Sequence, residues 1–133
     1  MNASRTFPNA PASVAAARRY VLDAIGSQTP LVSEATAIVV SELATNCVRH
    51  AGTAFTVDIE TTPLELRVEV TDTGSGVPIV RSPDASELSG RGLRLVRELS
   101  DDWGVTAADG DAGKSVWFTL RLSATGRRLQ DAD

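Results

Sequence analysis

The sequence VEVTDTGSGVP, residues 68–78, ends an alternating apolar pattern in an acidic residue that two glycines follow closely. Side chains of a strand alternate between its two faces, so this pattern predicts a half-buried strand. Its apolar positions are Leu64, Leu66, Val68 and Val70. Asp72 falls on the same face and is expected to point inward, where a carboxylate needs a polar partner because burying a lone charge is costly.

Gly74 and Gly76 leave bare backbone beside this acid, since glycine admits conformations and close approaches that a side chain would block. An acid at the bottom of a pocket, with bare backbone next to it, suits a flat ligand that offers a hydrogen-bond donor. The alternative is an Asx turn that only ends the strand, and the residues alone leave both interpretations open.

The length and composition of the chain are those of a single globular domain, residues 1–133. Its formal net charge is -4 with acidic and basic residues interspersed, which argues against direct binding to nucleic acid or to an anionic membrane. The chain has one cysteine, Cys47, and neither a signal peptide nor an apolar run of spanning length is evident, so we expect a cytoplasmic protein.

The hydrophobic periodicity predicts an α+β fold. Helical spacing covers residues 12–25, about 31–50 and 93–99, whereas alternation covers 55–60, 64–72 and 116–122. Residues 1–11 are expected to form an N-terminal arm or an edge strand, 77–91 a long loop, and 123–133 a flexible tail. Strands with one polar face need cover on the other, which predicts a two-layer α/β sandwich with helices on one face of a mixed, mainly antiparallel sheet.

Two further motifs contain polar side chains or free backbone amides. Glu42 and Asn46 are four residues apart on the second predicted helix and share a face; together they can hold magnesium and orient a hydroxyl or water for phosphoryl transfer. Such a pair is also common on an ordinary helix surface. Gly90 and Gly92 open the third helix, whose free amides suit a phosphate. Arg49, in the last turn of the second helix, has an alternative explanation as a cation at a helix C-terminus.

Taken in order, these motifs resemble the ATPase domain shared by gyrase, heat-shock chaperones and histidine kinases, the Bergerat or histidine-kinase-like ATPase fold. The chain looks most like the small stand-alone anti-sigma-factor serine kinases of bacteria, over roughly residues 5–122. The matching motifs are the N box ELATNCVRHA (42–51), the glycine boxes DTGSGVP (72–78) and SGRGLRLV (89–96), and the closing strand GKSVWFTL (113–120).

The resemblance implies ATP and Mg²⁺ as cofactors. It implies that Asp72 accepts a hydrogen bond from the adenine amino group, that Asn46 holds the magnesium ion, and that Glu42 is the catalytic general base. The other nucleotide-binding residues that it implies are Arg49, Gly74, Gly76, Val77, Gly90, Arg91, Gly92, Leu93 and Ser115. Residues 78–89 would then form a lid over the phosphates.

The sequence departs from the family pattern just before the last strand. Many relatives have Gly-Thr-Thr there, and this chain has Gly113, Lys114 and Ser115. The threonine that usually helps the acid hold adenine is thus replaced by lysine, which leaves Ser115 as the available hydroxyl. The implied partners are a sigma factor and an anti-sigma-factor antagonist, and relatives commonly form homodimers.

Other functions could use some of the same residues. A non-catalytic ATP-binding module could sequester a sigma factor or another regulator without phosphorylating anything. A homodimeric aspartic protease could use Asp72, Thr73 and Gly74, but it would need a nearly all-β chain. The sequence GDAGKS, residues 110–115, imitates a P-loop, but a strand rather than a helix is predicted to follow it.

Overall fold

The structure is a computed structural model that describes residues 1–72, 93–107 and 114–122. The elements in these ranges are β1 (Asn2–Phe7), α1 (Ala12–Ile25), α2 (Pro30–Asn46), a π-helical turn (Cys47–Ala51), β2 (Phe55–Thr61), β3 (Glu65–Asp72), α3 (Leu93–Leu99), β4 (Asp102–Ala107) and β5 (Lys114–Arg121).

Several predicted features lie outside the described residues. These are residues 73–78 of the first glycine box, residues 89–92 of the second, the lid at residues 78–89 and the tail from residue 123. The predicted nucleotide-binding residues that fall there are Gly74, Gly76, Val77, Gly90, Arg91 and Gly92. Leu93 is described as the first residue of α3.

The five strands form one sheet in the order β1-β2-β3-β5-β4. The sequence predicted a mixed, mainly antiparallel sheet, and every neighbouring pair among the described strands is antiparallel. β1 runs along β2 from Asn2 opposite Glu60 to Phe7 opposite Phe55. Of the two predictions for the N-terminal residues, the edge strand is therefore confirmed.

The predicted two-layer architecture is confirmed. The apolar positions of the strands face α1 and α2 and form one buried cluster with them. The largest fully buried side chains are Phe55, Phe118, Ile59, Leu66, Val21, Val39, Val40, Val57, Val68, Val96 and Thr36. Within the described ranges the opposite face of the sheet carries mainly polar side chains, which matches the predicted division into a core face and a polar face.

Helix α1 begins and ends where the pattern predicted. Ala17, Val21 and Ile25 are buried at helical spacing, and Gly26 follows with a φ of 68°. This left-handed conformation favours glycine, which commonly ends a helix. At the other end, the Ser13 hydroxyl donates to the carbonyl of Pro8 at 2.7 Å.

Helix α2 begins with a side-chain cap, because the Thr29 hydroxyl accepts a hydrogen bond from the Val32 amide at 3.3 Å and Pro30 follows. Its buried residues are Ala35, Thr36, Val39, Val40, Leu43 and Ala44. The segment Pro30–Arg49 is long and apolar enough to cross a membrane, with a mean hydropathy of 1.3. This is weak evidence for a span, since the core helix of a soluble protein meets the same criteria. Of the apolar window, 33% is buried inside the structure.

Three details differ from the prediction. α2 does not continue to His50 as a regular helix but passes into the π-helical turn after Asn46. Leu64, which was expected to be buried, precedes β3 and is 60% exposed. β4, residues 102–107, was not predicted, because Gly104 interrupts the apolar alternation at its centre.

Candidate functional site

The C-terminal half of α2 carries the acid and the amide of the N box. Glu42 and Asn46 are both half-buried and lie one helical turn apart, beside the buried stripe that includes Val39 and Leu43. Their side chains therefore lie at the rim of the core, as their spacing predicted. Polar groups at this rim can meet both a ligand and solvent.

The π-helical turn directly after Asn46 is held by a side chain from another part of the chain. The Asn9 amide nitrogen donates to the carbonyls of Cys47 at 3.3 Å, Val48 at 3.5 Å and Thr53 at 3.1 Å. π-Helical turns are rare and often occur at functional sites. Asn9 was not singled out from the sequence, since nothing in its local pattern links it to residues about forty positions away.

Asp72 lies at the end of β3, opposite Phe55 of β2. It shares a sheet face with the buried Val68 and Val70, and its own side chain is half-buried. Its Oδ1 accepts a hydrogen bond from the backbone amide of Lys114 at 3.3 Å. The acid is thus on the face that alternation assigned to it, and the first residue of β5 supplies a polar partner.

Ser115 lies on the other face of the sheet. It is the cross-strand neighbour of Thr71, and the two hydroxyl oxygens are hydrogen-bonded at 2.7 Å. Because successive side chains alternate, a residue that shares a face with Thr71 does not share one with Asp72. The structure therefore does not bring Ser115 beside the acid, and Lys114 occupies that position.

The environment of the Cys47 thiol shows that the end of α2 and the end of the sheet meet. The pKa of Cys47 is raised from an ordinary 9.0 to about 12, chiefly by burial and also by the negative charge of Asp72, while the positive charge of Lys114 acts in the opposite direction. Cys47 follows Asn46 directly, so the N box lies within electrostatic reach of both charged residues. Three distant segments of the chain thus converge at one place.

The described part of the site offers few metal ligands. Residues 1–72, 93–107 and 114–122 contain no group of three or more His, Cys, Asp or Glu side chains that could hold a metal ion. Magnesium at a nucleotide site usually takes only one or two protein ligands and completes its shell with phosphate oxygens and water. A single Asn46 oxygen fits that role better than it fits an all-protein metal site. Arg49 is exposed on the π-helical turn.

Comparison with known families shows the family of the chain. Residues 7–120 match the model of the histidine kinase-like ATPase domain. The chain belongs to that family. No curated protein matches the chain. Membership in this family supports an ATP-binding regulatory function for the chain.

Family membership also removes two alternatives. The α+β fold with two long helices contradicts an aspartic protease built around Asp72, which would need a nearly all-β chain. The imitation of a P-loop at residues 110–115 is accidental, because β5 begins at Lys114 where a P-loop would lead into a helix.

Proposed function

We propose that this histidine kinase-like ATPase is a serine/threonine protein kinase and anti-sigma factor, which binds ATP with Mg²⁺ and phosphorylates an anti-sigma-factor antagonist. The observation that carries the proposal is the position of Asp72 on the core face at the end of β3, with Glu42 and Asn46 on one face of the helix α2 that packs into the same core. A cytoplasmic location, a sigma-factor partner and a homodimer belong to the same proposal and rest on the resemblance to anti-sigma-factor serine kinases.

In this proposal Asp72 recognises the adenine base by a hydrogen bond. A half-buried carboxylate on the core face of a sheet can accept the adenine amino group and leave the base packed against apolar side chains. A carboxylate accepts several hydrogen bonds, so the bond from the Lys114 amide does not by itself exclude a second donor. The hydrogen bond from the Lys114 amide also fixes the direction in which the Asp72 carboxylate points.

Asn46 and Glu42 would act at the phosphate end. The side-chain oxygen of Asn46 would hold Mg²⁺ together with phosphate oxygens. Glu42, one turn earlier on the same face of α2, would take the proton of the attacking serine hydroxyl. ATP supplies the phosphoryl group: a bond forms from the serine oxygen to the γ-phosphorus, the bond to the bridging oxygen breaks, and ADP leaves.

Phosphate transfer from radiolabelled ATP to a candidate antagonist protein tests the proposal. We expect transfer by the wild-type chain, loss of transfer in Glu42→Gln, and retention of ATP binding in that variant, because the base does not contact adenine. Glu34→Gln is the matched control, since Glu34 is an exposed acid on the same helix. Transfer that persists in Glu42→Gln would contradict the role of Glu42. ATP binding without transfer by the wild type would favour the non-catalytic sequestering module.

A further inference from the structure

Asp72 and Lys114 face each other across neighbouring strands. β3 and β5 are antiparallel, with Val70 opposite Val116 and Thr71 opposite Ser115. The next step in this register places Asp72 opposite Lys114, and the hydrogen bond between the Lys114 amide and the carboxylate is consistent with it. Both side chains therefore emerge on the face that carries Val70 and Val116, which is the core face of the sheet.

The side chain of Lys114 carries the positive charge closest in register to this acid. The Lys114 side chain is half-buried, and its charge acts on the Cys47 thiol together with that of Asp72. An ammonium carries three hydrogen-bond donors and no acceptor, whereas a carboxylate only accepts. The end of the sheet thus presents an acceptor beside a donor, and the two groups approach from adjacent strands.

Adenine presents the complementary pair. Its amino group is a hydrogen-bond donor, and the neighbouring ring nitrogen N1 is an acceptor. We propose that Lys114 is a second base-reading residue, which donates to N1 of an adenine whose amino group is bonded to Asp72. This inference rests on the nucleotide site proposed above, and it assigns base specificity to a pair of residues instead of to the acid alone.

Calorimetric titration tests the inference. Each of two ligands is titrated into each of two full-length proteins, the wild type and Lys114→Met. The ligands are ADP and 1-deaza-ADP, which replaces N1 with a carbon that cannot accept a hydrogen bond. We expect the wild type to prefer ADP by about tenfold or more, since a hydrogen bond to a charged group is worth roughly 1.5–3 kcal/mol. Lys114→Met, whose unbranched side chain is one atom shorter and lacks the donor, should bind the two ligands equally.

The outcomes separate the two proposals. Equal binding of ADP and 1-deaza-ADP by the wild type, or an undiminished preference for ADP in folded Lys114→Met, would overturn the role of Lys114 while leaving the nucleotide site in place. If folded wild-type protein bound neither ligand, the nucleotide site itself would fail. Circular dichroism and thermal unfolding show whether each protein is folded.

Chemical labelling gives a second test that needs no variant. Lys114 is the only lysine in the chain, so an amine-reactive reagent can label only this side chain and the N-terminus. The Met1 ammonium donates to the carbonyl of Thr61 at 2.9 Å, at the opposite end of β2 from Phe55 and hence from Asp72. Saturating ADP should slow the labelling of Lys114 severalfold and leave the labelling of Met1 unchanged. Equal labelling of Lys114 with and without ADP would overturn the inference.

Discussion

The carboxylate of Asp72 and the backbone amide of Lys114 are joined by a 3.3 Å hydrogen bond, although 42 positions separate the two residues in the chain. This bond ties the end of β3 to the start of β5 and fixes the acid on the core face of the sheet. The Cys47 thiol, one residue after α2, lies within electrostatic reach of Asp72 and Lys114, so the end of α2 is near the same end of the sheet.

Replacing Asn9 with alanine should loosen the π-helical turn that follows the N box. The substitution removes the donor to the carbonyls of Cys47, Val48 and Thr53, and we expect the free energy of unfolding to fall by about 1 kcal/mol. Hydrogen exchange of the amides in residues 47–52 should become faster. The affinity for ATP in the presence of magnesium should also fall, because Asn46 adjoins the turn.

Asn2→Ala provides the control for this change, since Asn2 is an exposed asparagine at the start of the edge strand β1. It should leave exchange in residues 47–52 unchanged. Unchanged exchange in Asn9→Ala as well would show that the backbone of the turn does not need the Asn9 side chain.

Replacing Asn46 with alanine should remove the magnesium dependence of ATP binding. If the side-chain oxygen of Asn46 holds the ion, its loss leaves phosphate oxygens and water as the main ligands. ATP affinity measured with magnesium should then fall toward the value measured with a chelator, whereas affinity without the ion should change little. A full magnesium effect in folded Asn46→Ala would contradict the assigned role.

The raised pKa of Cys47 predicts both its reactivity and a dependence of stability on pH. With a pKa of about 12 the folded thiol stays protonated at pH 8, so alkylation should be slow in the native protein and fast in denaturant. The protonated thiol favours the folded state: this contribution is complete below pH 9.0 and is lost as the pH rises toward 12.

Cys47→Ala should therefore show a shallower loss of stability between pH 9 and 11 than the wild type, as measured by urea denaturation at each pH. Identical slopes for the two proteins would contradict a buried, neutral thiol. Alkylation of the native protein at the rate seen in denaturant would contradict it independently.

Gly104 should not tolerate a side chain. A Cβ at this position would lie 2.7 Å from ring atoms of Trp117, its cross-strand neighbour, and Arg67 covers the same ring with 4.9 Å between the guanidinium carbon and the ring centroid. We expect Gly104→Ala to lower the free energy of unfolding by about 1–3 kcal/mol, as measured by urea denaturation.

Thr106→Ala, an exposed position on the same strand and the same face, should change stability little. Nucleotide affinity should be unchanged in both variants, because this face of the sheet is opposite the one that carries Asp72. Equal stability of Gly104→Ala and the wild type would show that the Trp117 ring moves aside without cost.

The elements with regular apolar periodicity could be predicted from the sequence. The bounds of α1 agree with its pattern, and β2 and β3 alternate as expected, because burial of one face leaves a clear trace in the chain. β4 has no regular alternating pattern, because Gly104 lies at its centre, where the ring of Trp117 leaves no room for a side chain. The π-helical turn was not predicted either, because its apolar residues continue the helical pattern of α2.

The candidate site was predictable in part. The inward position of Asp72 follows from alternation alone, and Glu42 and Asn46 share a face by helical spacing. The partners of these residues were not predictable, since the bond to Lys114 depends on the register of β5 and the support from Asn9 depends on tertiary packing. The same register places Ser115 against Thr71, which a motif comparison cannot show.

The central claim is that Asp72 holds the base of a bound nucleotide, and titration of ATP into the full chain tests it most directly. We expect saturable binding to the wild type, strengthened by magnesium, and an affinity about tenfold or more lower in Asp72→Asn, which keeps the shape of the side chain but loses its charge. Asp58→Asn, an exposed acid on β2, is the control and should bind like the wild type. Undiminished binding in folded Asp72→Asn, or no binding to folded wild-type protein, would contradict the account.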